Sequence, residues 1–203
     1  MSDLPGDLLP PHPLDPVEGN ERFVGVDATV LDFWRWGFSD LRLNIVRGAL
    51  AEFLVAKAVG SSEVPKEEWA NFDVRTPTGV RVEVKASAYW QSWAQRGPSK
   101  TIFSGLTGRS WSEDGSYSKT REVRADVFVF VFALQACRDR ERYDPLHAGQ
   151  WEFRVLPARV IREAGTRSVG VAFLERNGAR PVPWSELAAA IDAAFEPPED
   201  RPT

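Results

Sequence analysis

The sequence predicts an α/β fold in which a mixed central sheet is flanked by helices. Three observations carry this. A long, largely apolar helical pattern runs over 39–59. Two short alternating segments then face each other across a Pro-Thr-Gly turn at 77–79. An unbroken β-branched and aromatic run follows at 125–134, with further strand and helix patterns behind it. Helix, hairpin, strand, strand, helix, strand, helix is the order expected of helices packed on a sheet.

In the helix, Leu41, Ile45, Ala49, Glu52, Ala56 and Val59 recur at helical spacing, so Glu52 falls inside an apolar stripe. A second row, Val46, Leu50, Phe53 and Leu54, makes the element largely buried. Ser39 is the expected N-cap, Asp40 suits the positive end of the dipole, and Gly60 the stop. The hairpin strands are predicted at 69–76 and 80–87. "AYWQSWAQR" at 88–96 reads as a short helix or bend. "QWEFRVLP" at 150–157 and "RSVGVAFL" at 167–174 read as strands, with a helical turn over 157–165 between them. "PWSELAAAIDAAF" at 183–195 is a last amphipathic helix. The aromatic segment "DFWRWGF" at 32–38 is expected to pack against the core.

Residues 1–20 are rich in proline and acids and are expected to form a disordered arm, as is the tail at 197–203. A single domain is expected over 21–196. The formal net charge of −4 supplies no general attraction to polyanions or membranes, so a polyanion must be met by a local basic patch. One cysteine, Cys137, excludes an internal disulfide and suits a reducing cytoplasm. No apolar run is long enough for a membrane span, and the start lacks the pattern of a signal peptide. A cytoplasmic location is the expectation.

The hairpin carries the chemistry. Proline at the first central position and glycine at the left-handed position make a three-residue turn that pairs Thr76 with Val80. Counting outward sets Asp73 opposite Glu83, with Cβ atoms about 4.5–5.5 Å apart on one face, whereas a two-residue loop would move Asp73 to the face of Val82 and Val84. Alternation puts Lys85 on that face too, and turns Val82 and Val84 to the other. Two facing carboxylates repel unless one is protonated or a cation lies between them. Hard oxygen ligands without nearby Cys or His point to Mg²⁺ or Mn²⁺. Such an ion polarises phosphate oxygens and acidifies water. Lys85 beside it could orient that water and offset developing charge.

Asp73, a short turn and Glu83-Val84-Lys85, preceded by a helix bearing Glu52 in "RGALAEFLVAKAVG", resemble the PD-(D/E)XK nuclease superfamily, the restriction-endonuclease-like fold. Phe72 stands where the namesake proline would be. The C-terminal third, from Tyr143, also resembles an uncharacterised bacterial family of that superfamily. The resemblance implies a helix–strand–hairpin–helix–strand core over about 39–134 and a metal-dependent nuclease acting on DNA. It implies Asp73, Glu83 and the Val84 carbonyl as metal ligands and Lys85 as the catalytic lysine. Glu52 matches the acid of the first core helix, and Gln91 a glutamine near the site in some members. A homodimer is the partner state compatible with cutting two strands.

Other readings stand beside these. Arg81, Glu83 and Lys85 also fit the solvated face of an antiparallel strand. The same fold also serves a non-catalytic subunit that binds DNA or a partner. Arg96, Lys100, Arg109, Lys119, Arg121 and Arg124, interleaved with Trp111 and Tyr117 behind Trp90 and Trp93, make a loop suited to a phosphate backbone and an unpaired base. Glu113, Asp114 and Glu122 dilute it. Asp126 is expected to be structural, and His12, His147 and Cys137 carry no assigned chemistry.

Overall fold

The computed structural model describes residues 15–63, 65–66, 70–109, 116–124 and 126–197. Most of the acidic N-terminal arm, nearly all of the tail, His12, Trp111, Glu113 and Asp114 therefore lie outside the described residues.

Helix α1 spans Val30–Phe38 and opens on a capping box: Thr29 accepts from the Asp32 N–H, and the Asp32 carboxylate accepts from the Thr29 N–H at 2.8 Å. Contrary to the expected packing role, none of its residues is buried, and Trp36 is 86% exposed. Its polar residues Asp32 and Arg35 share one side, so its apolar side is left open to solvent instead of packed on the sheet. Phe33 and Phe38 pack edge-on against each other, and Trp34 lies over Gly19, where a Cβ would come within 3.0 Å of the indole.

Helix α2 is Asn44–Ala58, five residues shorter at its start than the sequence predicts. The reason is local. Ser39 serves as the C-cap of α1 and donates to the Arg35 carbonyl, while the Asp40 carboxylate is taken by Arg42 at 2.8 and 2.9 Å. Both groups expected to start α2 are thus occupied elsewhere. Its end falls at Gly60 as predicted, with φ +73°.

The hairpin follows: β1 Val74–Arg75 and β2 Arg81–Ala88. Its turn has the expected pairing, with the Thr76 N–H on the Val80 carbonyl at 2.9 Å and Gly79 at φ +89°. Strand β1 is far shorter than the predicted 69–76, of which the first residue lies outside the described set. Beyond β2 the chain bends through 89–101 and forms β3, Ile102–Ser104. The second core helix implied by the nuclease resemblance is absent among the described residues 89–109 and 116–124.

Strand β4 (Val129–Gln135) is buried along its whole length, and β5 is Trp151–Pro157. Helix α3 (Ala158–Ala164) ends at the left-handed Gly165. The segment expected as a strand at 167–174 divides instead: β6 is Ser168–Gly170 and α4 is Val171–Arg176. Leu174 is the fully buried residue of α4. A short 3₁₀ turn leads into α5, Leu187–Ala194.

The result is a mixed α/β architecture. A four-stranded sheet has the order β1-β2-β4-β5, with β2 and β4 parallel and the other pairs antiparallel; β3 and β6 form a separate two-stranded sheet. On one face Val82, Val84, Val129, Val131 and Phe153 meet α2 and α5 through Ala51, Val55, Leu187 and Ile191. On the other, Phe130, Phe132, Leu134 and Leu156 meet Phe103, Val169, Ile161 and Leu174. No helix among the described residues is long and apolar enough to cross a membrane.

Candidate active site

The register of the sheet decides where the hairpin charges go. Val82 and Val84 face α2, so the alternating Glu83 and Lys85 face the opposite side, level with Phe130 and Phe132 of β4. Glu83 is only 6% exposed. A carboxylate there needs partners. Lys85 donates to Glu83 Oε1 at 2.6 Å, and Arg124 lies 3.5 Å from Oε2. The Arg124 contact is an ion pair without a hydrogen bond, so Oε2 remains a buried acceptor with no donor on it.

Asp73 sits at the sheet edge, just before β1. Its N–H reaches the Val82 carbonyl at 3.0 Å, and its Oδ2 accepts the Val84 N–H at 2.8 Å. The paired register ends at Val74–Val82, and Asp73 beyond it bonds to Val82 and Val84 on either side of Glu83, near enough for its charge to act on the Glu83 carboxyl. In a strand the N–H and C=O of one residue point to the same side, so the Val84 carbonyl also faces the Asp73 edge.

Glu52, on α2, reaches the same edge from the other face. It is paired with Lys66 Nζ at 2.7 Å and opens with Asp73 into a cavity of about 620 Å³. Burial holds the Glu83 carboxyl above its ordinary range, the Asp73 charge pushes it further, and Lys85 and Arg124 offset only part. Burial also raises Glu52, again with Asp73 adding to it, while Lys66 and Lys85 work against the shift. Asp73 therefore lies electrostatically between the two glutamates. Glu83 and Lys85 are in direct contact and Asp73 acts on both glutamates, while Glu52 stays on the α2 side of the sheet.

Gln91 does not join them. Its Oε1 accepts from Arg47 at 2.7 Å and its Nε2 donates to the Ala88 carbonyl at 2.9 Å, beside a different cavity. Asp126 is structural, bonded to Arg81 at 3.2 Å and Asn71 at 3.3 Å. His147 caps a 3₁₀ turn through its Nδ1.

Two partners were missed in the sequence. Lys66 gives no signal there. Arg124 does: it directly precedes the apolar run that becomes β4, the strand beside Glu83. The described part of the basic loop closes through mutual 3.0 Å backbone bonds between Gly108 and Glu122. The Arg124 guanidinium then lies over Gly108, 3.4 Å from where a Cβ would stand. One end of that loop is thereby fixed at Glu83.

Among the described residues no three His, Cys, Asp or Glu side chains sit close enough together to form a metal-holding group. The donors gathered at the hairpin are instead two carboxylates and a backbone carbonyl. They fit a hard divalent cation on one specific ground: Glu83 Oε2 is buried without a donor, 3.5 Å from Arg124, and the Asp73 charge acts on the same carboxyl. Comparison with models of known protein families gives no match, and comparison with curated proteins gives none either.

Proposed function

We propose that the chain is a metal-dependent nuclease that hydrolyses phosphodiester bonds in DNA, built on a restriction-endonuclease-like arrangement of α2, the β1–β2 hairpin and β4. The observation that carries this reading is Glu83. It is a nearly buried carboxylate set against Asp73, with one oxygen held by Lys85 and the other lacking a donor. A fold with no use for charge there would place an apolar residue at the position.

Asp73, Glu83 and the Val84 carbonyl would hold Mg²⁺ or Mn²⁺, which when bound supplies charge neutralisation on a phosphate oxygen and a more acidic water. The protein's own groups do the rest. Val84 N–H fixes Asp73 through Oδ2 and leaves Oδ1 free to coordinate. Lys85, which donates to Glu83 Oε1, would orient the attacking water and offset charge on the reacting phosphate. Arg124 supplies a second cation at the same carboxylate. Glu52 and Lys66 line the cavity through which a strand would approach.

The test is incubation of supercoiled plasmid with Mn²⁺, wild type beside Lys85→Ala. Nicking or linearisation by the wild type alone is the expected result. Intact plasmid with both proteins, or equal cutting by both, would remove the proposal.

A further inference from the structure

The cavity of about 620 Å³ beside Glu52 and Asp73 holds more than those two acids. One face of α2 forms a wall of it, with Ala49, Glu52, Phe53 and Ala56 at helical spacings of three and four. The core takes a different row of this helix, Val46, Ala51 and Val55. The fold thus leaves an apolar row of α2 facing a hollow, with Phe53 51% exposed. Phe72 also lines the cavity, and the Arg75 guanidinium lies over its ring, 4.9 Å from the centroid. A flat apolar side chain therefore stands beside each acid: Phe53 follows Glu52, and Phe72 precedes Asp73.

A polar group is left open as well. Ser61, in the same lining, has a buried hydroxyl with no hydrogen-bond partner among the described residues. Native proteins almost always satisfy such a group. A hydroxyl can both donate and accept, so it suits the mixed edge of a heteroaromatic ring. The charges of the lining argue the same way. Glu52, Glu63 and Asp73 stand there against Lys66 and Arg75, and Lys66 is already paired with Glu52 at 2.7 Å. With no surplus of positive charge, the cavity offers nothing to an anion, and what enters is neutral.

The fitting occupant is planar, largely apolar and uncharged, with one polar edge. It is also joined to a group that reaches Asp73, because Asp73 lines the same cavity. If a phosphate lies at Asp73 and Glu83, the neutral ring next to it is a nucleobase. A base paired within a duplex must first be unstacked to enter such a pocket, whereas a base on a single strand is already free to do so.

We propose that this cavity receives an unpaired nucleobase, stacked on Phe53 with its polar edge toward Ser61, and that the substrate is therefore single-stranded DNA. Placing the phosphate at Asp73 rests on the nuclease reading; the pocket for the base does not.

The test is fluorescence anisotropy with the full chain in Ca²⁺, a hard cation that takes the same oxygen ligands. Three dye-labelled DNAs are compared: a single strand of mixed sequence, its blunt duplex, and an abasic phosphodiester chain of equal length. The single strand should bind at least about ten-fold tighter than either of the others, within the range of base–aromatic stacking. Phe53 stands outside both core clusters, so Phe53→Ala should fold. It should weaken the single strand about ten-fold and leave the abasic chain unchanged. Ser61→Ala should weaken the single strand roughly five-fold, the loss of one neutral hydrogen bond. Equal affinity for the three DNAs, or unchanged affinity in Phe53→Ala, would overturn the assignment. Cleavage in Mn²⁺ is scored separately; negative supercoiling eases strand separation, so supercoiled plasmid should be cut in preference to its relaxed linear form. A chain that prefers the single strand but cuts nothing keeps the base pocket and loses the nuclease reading. One that cuts plasmid yet binds the abasic chain as tightly as the single strand does the reverse, and one that binds none of the three DNAs loses the pocket whatever it cuts.

Discussion

Replacing Lys85 with methionine isolates the charge at the centre of the site while keeping the length of the side chain. The ammonium lies 2.6 Å from Glu83 Oε1. At an effective dielectric of about 20, the gross attraction at that distance is about 6 kcal/mol. Desolvation of the lysine takes back part of it, and breaking a buried pair usually costs about 3–5 kcal/mol. Because the Lys85 side chain is still 20% exposed, the lower end applies, and we expect a loss of about 2–3 kcal/mol without metal. For a chain of this size that is a fall of about 4–12 °C in Tm. Glu83 would then face Asp73 with only Arg124 to balance them. A divalent cation would take over the role of the lost ammonium, so Mn²⁺ should raise Tm more in Lys85→Met than in the wild type, while cleavage is lost. Cation at about 100 times its Kd is worth about 2.7 kcal/mol, easily resolved in a melting curve. A variant that melts within about 1 °C of wild type and responds no more to Mn²⁺ would refute the reasoning, because it would mean that the hairpin charges are independently solvated.

Three more outcomes follow from the same geometry. The raised carboxyls of Glu83 and Glu52 favour the folded state while protonated. That contribution is complete below the ordinary glutamate pKa of about 4.3 and is lost as pH climbs through the folded values. Metal-free wild type should therefore lose Tm relative to Glu83→Gln as pH rises from 4 toward 8 (both as approximate buffer limits), and parallel curves would contradict this. Gly79→Ala meets no atom within 4 Å, so its effect is the strain of φ +89° alone, about 1–2 kcal/mol by denaturant melt. Asp126→Asn, altering a pair that is 31% and 45% exposed, should change stability by less than about 1 kcal/mol and leave plasmid cutting nearly unchanged; abolished cutting would place Asp126 in the site.

What was legible in the sequence was what is set locally. The Pro-Thr-Gly turn determines its own pairing, and alternation along β2 then sets Glu83 and Lys85 on one face without help from distant residues. Strand β4 declared itself by an unbroken apolar run, because it is buried on both faces. The start of α2 was misread because Ser39 and Asp40 are good caps in isolation, yet each is claimed by a neighbour, α1 and Arg42. Strands β3 and β6 are three residues each, too short to carry a period. Arg47 left no trace: nothing in "NIVRGAL" distinguishes a buried cation from a surface one.

The site is also tied to the fold by register. Glu83 and Lys85 alternate with Val82 and Val84, which sit in the α2–α5 core. A one-residue slip of β2 would carry both charges into that core and expose both valines. The apolar packing that makes the sheet therefore selects the same arrangement that brings Asp73 and Glu83 together. Their mutual repulsion works against folding, and Lys85 and Arg124 relieve it incompletely. On the proposed reading, a cation bound there would gain from the fold and the fold from the cation, and that reciprocity is what would distinguish a built site from a solvated strand.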